Sequence, residues 1–250
     1  MGRDRFREAA KDGRTLLTAW LTLNSPFLIE LIGEAGFDCI TVDQQHGIGG
    51  NDVLLSCLTA ARAAGLPAIV RVAENDPGLI GRALDAGAQG IMGPMIETVE
   101  DAEAFVRAVK YPPIGQRSWG PYRARLDFEG DYFSTANNFT IACPQIETKG
   151  ALDCLDDLLA IEGLDMICLG PNDLSVALTG RLDIFASEVK DAMTLVLRKC
   201  RERSVMTLIF CNDLDFARPR FEEGWTVAAI GTDAGWFSKA AADMRSAAGG

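Results

Sequence analysis

Five times along this chain a helical stretch ends in glycine, and an apolar run begins a few residues later. The glycines are Gly36 before Cys39, Gly65 before Ala68, Gly87 before Ile91, Gly163 before Met166 and Gly224 before Val227. Glycine just past a helix takes the left-handed conformation cheaply and closes the last carbonyls. A short αβ turn then feeds the next strand, and strands alternating with helices make a parallel sheet. Eight strands are expected near 16–21, 38–42, 68–72, 89–93, 141–146, 165–169, 206–210 and 226–230. Most are continuously apolar, as suits a sheet covered on both faces. Eight such units in 250 residues predict one domain over 1–250, an α/β chain closed as a (β/α)8 TIM barrel. A doubly wound open sheet is the alternative architecture.

Helix starts are legible as well. Ser25-Pro26 and Asp76-Pro77 place a capping oxygen before a proline at the first helical position. Thr98 precedes an amphipathic run from Val99 to Val109, and Thr148 one from Lys149 to Ala160. One connection breaks the rhythm: residues 111–140 run long, with Gly115, Gly120, Pro121 and Gly130. Loops of that length are commonly functional or disordered. Its basic, aromatic start from Arg117 to Arg123 is expected to cover the barrel mouth. Ser246 to Gly250 reads as a small C-terminal tail.

Composition removes several partner classes. A formal charge of −11 disfavours nucleic acid and anionic membranes, which need clustered Lys and Arg. The cysteines are 39, 57, 143, 154, 168, 200 and 211; the number is odd and no CxxC occurs. They read as buried free thiols in a reducing compartment, not as a disulfide framework or zinc site. Met1 to Lys11 is charged and lacks an apolar signal core. Gly2 lacks the Ser or Thr at position 6 that a myristoylation signal wants. No apolar stretch of about 18 residues occurs. A cytoplasmic protein is expected.

In a parallel barrel the C-terminal strand ends converge on one mouth. Asp43 and His46 lie at and just beyond the second strand, Arg71 ends the third, Glu147 follows the fifth and Asp173 the sixth. His46 is the single histidine. An aspartate that fixes its tautomer would make a proton-transfer dyad, whereas a lone loop histidine needs no such role. Arg71 inside an apolar strand faces either an anion or a structural salt-bridge partner. Two carboxylates on separate strands hold a hard divalent cation, or else cap helices. Gly170-Pro171-Asn172-Asp173-Leu174 is a turn whose amides can cradle a carboxylate or phosphate.

Together these segments resemble the HpcH/HpaI aldolase family, metal-dependent class II pyruvate aldolases on a phosphoenolpyruvate/pyruvate-type barrel. The motifs are Ala35-Gly36-Phe37-Asp38 leading to Val42-Asp43-Gln44-Gln45-His46, Val70-Arg71-Val72 with Asn75-Asp76-Pro77, and Pro94-Met95. Tyr111-Pro112-Pro113, Gly115-Gln116-Arg117, Gln145-Ile146-Glu147-Thr148 and Gly170 to Ser175 complete them. The resemblance implies that Glu147 and Asp173 ligate the metal, Mg2+ or Mn2+ with Co2+ a further option. It implies that His46, supported by Asp43, serves as base. It gives Arg71 the 2-oxo oxygen, Gly170, Pro171 and the amides of Asn172 and Asp173 the substrate carboxylate, and Gln145 a place beside the metal.

Many members have an acidic residue before the histidine; here it is Gln45, which implies altered substrate choice. Ser118-Trp119-Gly120-Pro121 also departs from the dicarboxylate-cleaving members. The implied reaction joins a pyruvate or hydroxypyruvate enolate to an aldehyde, or the reverse, giving 4-hydroxy-2-oxo acids. Oxaloacetate decarboxylase and CoA-thioester lyase are the alternatives within the superfamily, and a non-catalytic barrel is the alternative outside it. A homohexamer, a trimer of dimers, is implied, with the last helix around Trp236-Phe237 and Ala240-Ala241 at the interface.

Overall fold

In a computed structural model, which describes residues 2–128 and 130–249, the five turn glycines all hold positive φ. Gly36, Gly65, Gly87 and Gly224 directly close a helix before the next strand, whereas Gly163 lies in a separate turn beyond Leu159. Met1, Glu129 and Gly250 of the expected domain lie outside the described residues. The strands are β1 (Leu16–Leu21), β2 (Cys39–Asp43), β3 (Ala68–Arg71), β4 (Gly90–Gly93), β5 (Ile141–Ile146), β6 (Met166–Leu169), β7 (Met206–Cys211) and β8 (Val227–Thr232). They pair in parallel in sequence order, and β8 closes on β1. The expected strands fall within two residues of these bounds, and the open-sheet alternative is excluded.

The helices are α1 (Gly2–Asp12), α2 (Pro26–Glu34), α3 (Asn51–Ala63), α4 (Pro77–Asp85), α5 (Val99–Val109), α6 (Tyr132–Phe139), α7 (Lys149–Asp153), α8 (Leu155–Leu158), α9 (Pro171–Thr179), α10 (Ser187–Glu202), α11 (Leu214–Glu223) and α12 (Asp233–Ala247). Asp76 caps α4 through the Leu79 amide, and Thr98 caps α5 in a full capping box with Asp101. Ser25 precedes Pro26 as expected but makes no capping bond. The run expected as one helix from Lys149 breaks at Cys154 into α7 and α8. The expected C-terminal tail is helical as far as Ala247. Among the described residues, no helix is long and apolar enough to cross a membrane.

Strand alternation sorts the core into two layers. One face of each strand packs outward against the helices: Ile40, Val42, Val70, Ile91, Ala142 and Ile209 belong to that outer core. The other face fills the barrel with Leu16, Cys39, Ile69, Met92, Cys143, Met166, Cys168, Leu208 and Val227. Phe6 and Ala9 of α1 join this inner cluster and close its N-terminal end. All seven cysteines are free, and all but Cys154 are buried. Burial pushes the Cys57 thiol up to about 11 and those of Cys200 and Cys211 to about 12.

The segment 111–140 does not cover the mouth; it lies at the opposite, N-terminal face. The reason is topological: α5 runs away from the mouth, so the chain from Lys110 to Thr140 links a helix end to a strand start. Lys110 is buried there, and its Nζ donates to the carbonyls of Asn137 and Thr140 and to Asp165. Arg117 pairs with Asp85 at the end of α4 at 2.8 Å and lies 4.6 Å over the Tyr111 ring. Arg62 and Arg123 tie the segment to α3 through the Leu126 and Leu58 carbonyls.

Candidate active site

Six strands, β1, β2, β3, β5, β7 and β8, place a residue at or next to their C-terminal end in the mouth. Register does the placing: Asp43 stands opposite Arg71 across β2 and β3, and Gln145 opposite Cys168 across β5 and β6. A cavity of about 210 Å³ results, lined by Trp20, Thr22, Asp43, His46, Arg71, Gln145, Gly170, Asn172, Asp173, Phe210 and Thr232. Glu147 lies just behind this wall, against Gln145 and Gly170. Pro171 is buried as the first residue of α9 and does not line the cavity. A larger cavity of about 860 Å³ opens at the opposite face beside Arg7, Lys110 and Asp165, and holds none of the expected site residues.

Asp43 and Arg71 form a buried, bidentate pair. Arg71 Nε donates to Asp43 Oδ1 at 3.0 Å, and Nη2 donates to Oδ2 at 2.5 Å. The Trp20 indole N–H adds a bond to Oδ2 at 3.2 Å, while the guanidinium lies 4.9 Å over the Trp20 ring. Burial alone would raise the Asp43 carboxyl. The Arg71 hydrogen bond and charge, helped by the His46 and Gln45 amides, outweigh it and hold that carboxyl below its ordinary value.

The expected contact between Asp43 and the His46 ring is not made. Asp43 Oδ1 accepts the backbone amides of Gln45 and His46, at 2.9 and 3.2 Å, and so shapes the loop that carries the histidine. The physical reason is competition: Arg71 and Trp20, delivered by neighbouring strands, already take the Asp43 lone pairs that face the barrel. His46 itself is exposed at the rim.

Glu147 is 2% exposed. Its Oε1 accepts the Met95 amide at 2.8 Å, and its Oε2 accepts Gln145 Nε2 at 2.6 Å. Met95 reaches this position with φ of +54°, a conformation that L-residues seldom adopt outside constrained sites. Burial pushes Glu147 from an ordinary 4.5 up to about 7; the nearby Asp173 carboxylate acts in the same direction, against the Met95 amide. A Cβ on Gly170 would fall 2.7 Å from Gln145 Nε2 and 2.8 Å from Glu147 Oε2, so a larger residue would force both side chains to shift.

The donor set fits a hard divalent cation. Glu147 and Asp173 supply carboxylate oxygens, and Gln145 Oε1 is buried with no hydrogen-bond partner. Two like-charged carboxylates brought together, beside an amide oxygen that lacks a donor, leave room for positive charge. Among the described residues no group of three or more His, Cys, Asp and Glu side chains gathers as ligands.

The sequence brings together His46, Arg71, Asp43, Gln145, Glu147 and Asp173, gives no role to Trp20 or Phe210, and holds Met95 only within the Pro94-Met95 motif, without a role. Trp20 and Phe210 carried a signal, since each lies within one residue of its strand's C-terminal end. Met95 acts through its backbone, which residue type does not reveal.

Fold and site define a (β/α)8 barrel with a carboxylate-, guanidinium- and imidazole-lined cavity at its C-terminal mouth. The chain belongs to the HpcH/HpaI aldolase/citrate lyase family, whose model matches residues 16–240. It is 31% identical over 240 residues to a hydroxypyruvate/pyruvate aldolase of Rhizorhabdus wittichii, covering 95% of this chain and 96% of the relative. It is 32% identical to a 4-hydroxy-2-oxo-heptane-1,7-dioate aldolase of Escherichia coli, covering 94% of this chain and 91% of that one. Among solved structures, an HpcH/HpaI aldolase/citrate lyase family protein of Burkholderia cenocepacia superposes with a TM-score of 0.90 at 31% identity, covering 98% of both chains.

Proposed function

We propose that this enzyme is a class II 2-oxo acid aldolase, an aldehyde-lyase that joins pyruvate or hydroxypyruvate to an aldehyde and cleaves the 4-hydroxy-2-oxo acid product. The observation that carries the reading is the meeting of His46, Arg71 and the Glu147–Asp173 pair at one mouth, with Gln145 Oε1 lacking a partner beside that pair. Glu147 and Asp173, with Gln145 beside them, would hold Mg2+ or Mn2+. A divalent cation there supplies Lewis-acid polarisation of the 2-oxo group, which acidifies C3.

The chain's own residues do the rest. The first-turn amides of α9 at Asn172 and Asp173 bind the substrate carboxylate, as helix N-termini do. Arg71 donates to the 2-oxo oxygen and stabilises the negative charge that develops there. The Asp43 pair holds the guanidinium in a fixed orientation, so little reorganisation accompanies the reaction. His46 moves the proton: from C3 in the synthetic direction, and from the C4 hydroxyl in cleavage. Asp43 acts on His46 through the loop backbone and not through the ring. Among the described residues no lysine lines the cavity, so these walls offer no Schiff-base route.

A homohexamer is part of the same reading. Phe237 and Met244 on α12 are 72% and 74% exposed, and Phe237 borders an apolar groove formed with Leu23, Leu31, Phe37 and Trp236. A cytoplasmic location is proposed from the free, buried thiols. The test follows the pyruvate methyl signal by proton NMR in D2O with Mg2+, with and without chelator, in wild type and His46→Ala. Exchange that needs the metal and collapses in the variant is the expected result. No exchange with either pyruvate or hydroxypyruvate sinks the reading.

A further inference from the structure

The mouth carries one polar feature that the 2-oxo acid end of the reaction does not use. Asn172 and Asn212 form a reciprocal amide pair. Asn172 Nδ2 donates to Asn212 Oδ1, and Asn212 Nδ2 donates to Asn172 Oδ1, both at 3.1 Å. Asn212 continues the inward row of β7, in which Leu208 fills the barrel and Phe210 lines the cavity, and so stands above Phe210 at the rim. Asn172, in the first turn of α9, lines the cavity beside Asp173.

A carboxamide has two N–H donors and two acceptor lone pairs. The reciprocal pair uses one of each per residue and leaves one of each. Asn172 is half-buried and Asn212 exposed, so water satisfies these atoms equally well and the pair adds little to stability. Its position is therefore its main property. It presents both donors and acceptors at the rim of a cavity that Trp20, Thr22, Phe210 and Thr232 also line.

Charge narrows the aldehyde. Among the described residues Arg71 is the only Lys or Arg lining the cavity, and two of its nitrogens are committed to Asp43. Asp43, Asp173 and the adjoining Glu147 are acidic. An aldehyde with its own carboxylate meets no second guanidinium or ammonium among these walls. Resting on the aldolase reading, we propose that the Asn172–Asn212 pair is the specificity edge for the acceptor, binding the hydroxyls of a neutral hydroxyaldehyde in preference to a carboxylate-terminated one. A hydroxyl donates and accepts at once, which a carboxamide edge answers in both senses.

The experiment compares glyceraldehyde, propanal (the same chain without hydroxyls) and succinic semialdehyde as acceptors for pyruvate with Mg2+. Wild type, Asn172→Ala and Asn212→Leu are measured, and each rate is divided by that protein's own pyruvate exchange rate without aldehyde. Wild type is expected to favour glyceraldehyde over both others. Each variant is expected to lower the glyceraldehyde-to-propanal ratio by about tenfold, the order of losing one or two neutral hydrogen bonds. An unchanged ratio, or a wild type that prefers succinic semialdehyde, overturns the inference while exchange persists. Absence of exchange in wild type overturns the aldolase reading, and the inference falls with it.

Discussion

Glu147 gives a stability signature that requires no knowledge of the substrate. Its carboxyl sits at about 7 in the folded chain against an ordinary 4.5, chiefly because it is buried. Between those values the folded protein keeps a proton that the unfolded chain releases, so stability falls as pH rises through the window. At about 1.4 kcal/mol per pKa unit, the gap corresponds to about 3 kcal/mol lost by the metal-stripped protein above pH ~7. For a domain of this size that is roughly 6–12 °C in Tm. The Glu147→Gln variant cannot ionise and keeps a side chain of similar shape, so subtracting its curve cancels the other titrating groups. Thermal melts in chelator from about pH 4.5 to about pH 8 span both the unfolded and the folded titration, and should show wild type losing stability relative to the variant. Saturating Mg2+ should remove most of the difference, because a bound cation favours the ionised form. A wild-type-minus-variant difference that stays flat across the range would refute the argument, showing that Glu147 titrates as an exposed carboxyl does.

Three further outcomes follow from the same geometry. Gly170→Ala drives a methyl group against Gln145 and Glu147, and should lower kcat at least tenfold while circular dichroism stays native. Asp43→Ala leaves Arg71 without its buried partner and should cost about 3–5 kcal/mol in urea denaturation, with kcat/KM falling as well. Asp131→Ala removes the cap of α6 at the face opposite the mouth; about 1 kcal/mol of stability should go, with kcat/KM unaltered.

The barrel was legible because its signals are local and repeated. Gly36, Gly65, Gly87 and Gly224 each mark a helix end and Gly163 a turn before β6, and the apolar runs after them are too short for helices. The site was legible to the extent that it hangs from strand ends: His46, Arg71, Glu147 and Asp173 are placed by topology alone. What escaped depends on three-dimensional competition or on backbone. The spacing in sequence pairs Asp43 with His46 alone and leaves the partner of Arg71 unnamed, whereas strand register gives Asp43 to Arg71. The length of segment 111–140 suggests a cover over the mouth, whereas the direction of α5 decides that it joins the opposite face. Met95 contributes an N–H held at positive φ, which no side-chain pattern announces.

That displaced segment has a kinetic consequence. With 111–140 at the far face, the mouth is ringed by short turns, and His46 and Asp173 stand open to solvent. A carbanion formed there has two fates, capture by an aldehyde or by a deuteron from the medium. The ratio of carbon–carbon bonds formed to label incorporated should therefore climb in proportion to aldehyde concentration, so that carbonyl supply sets whether the turnover is productive or idle.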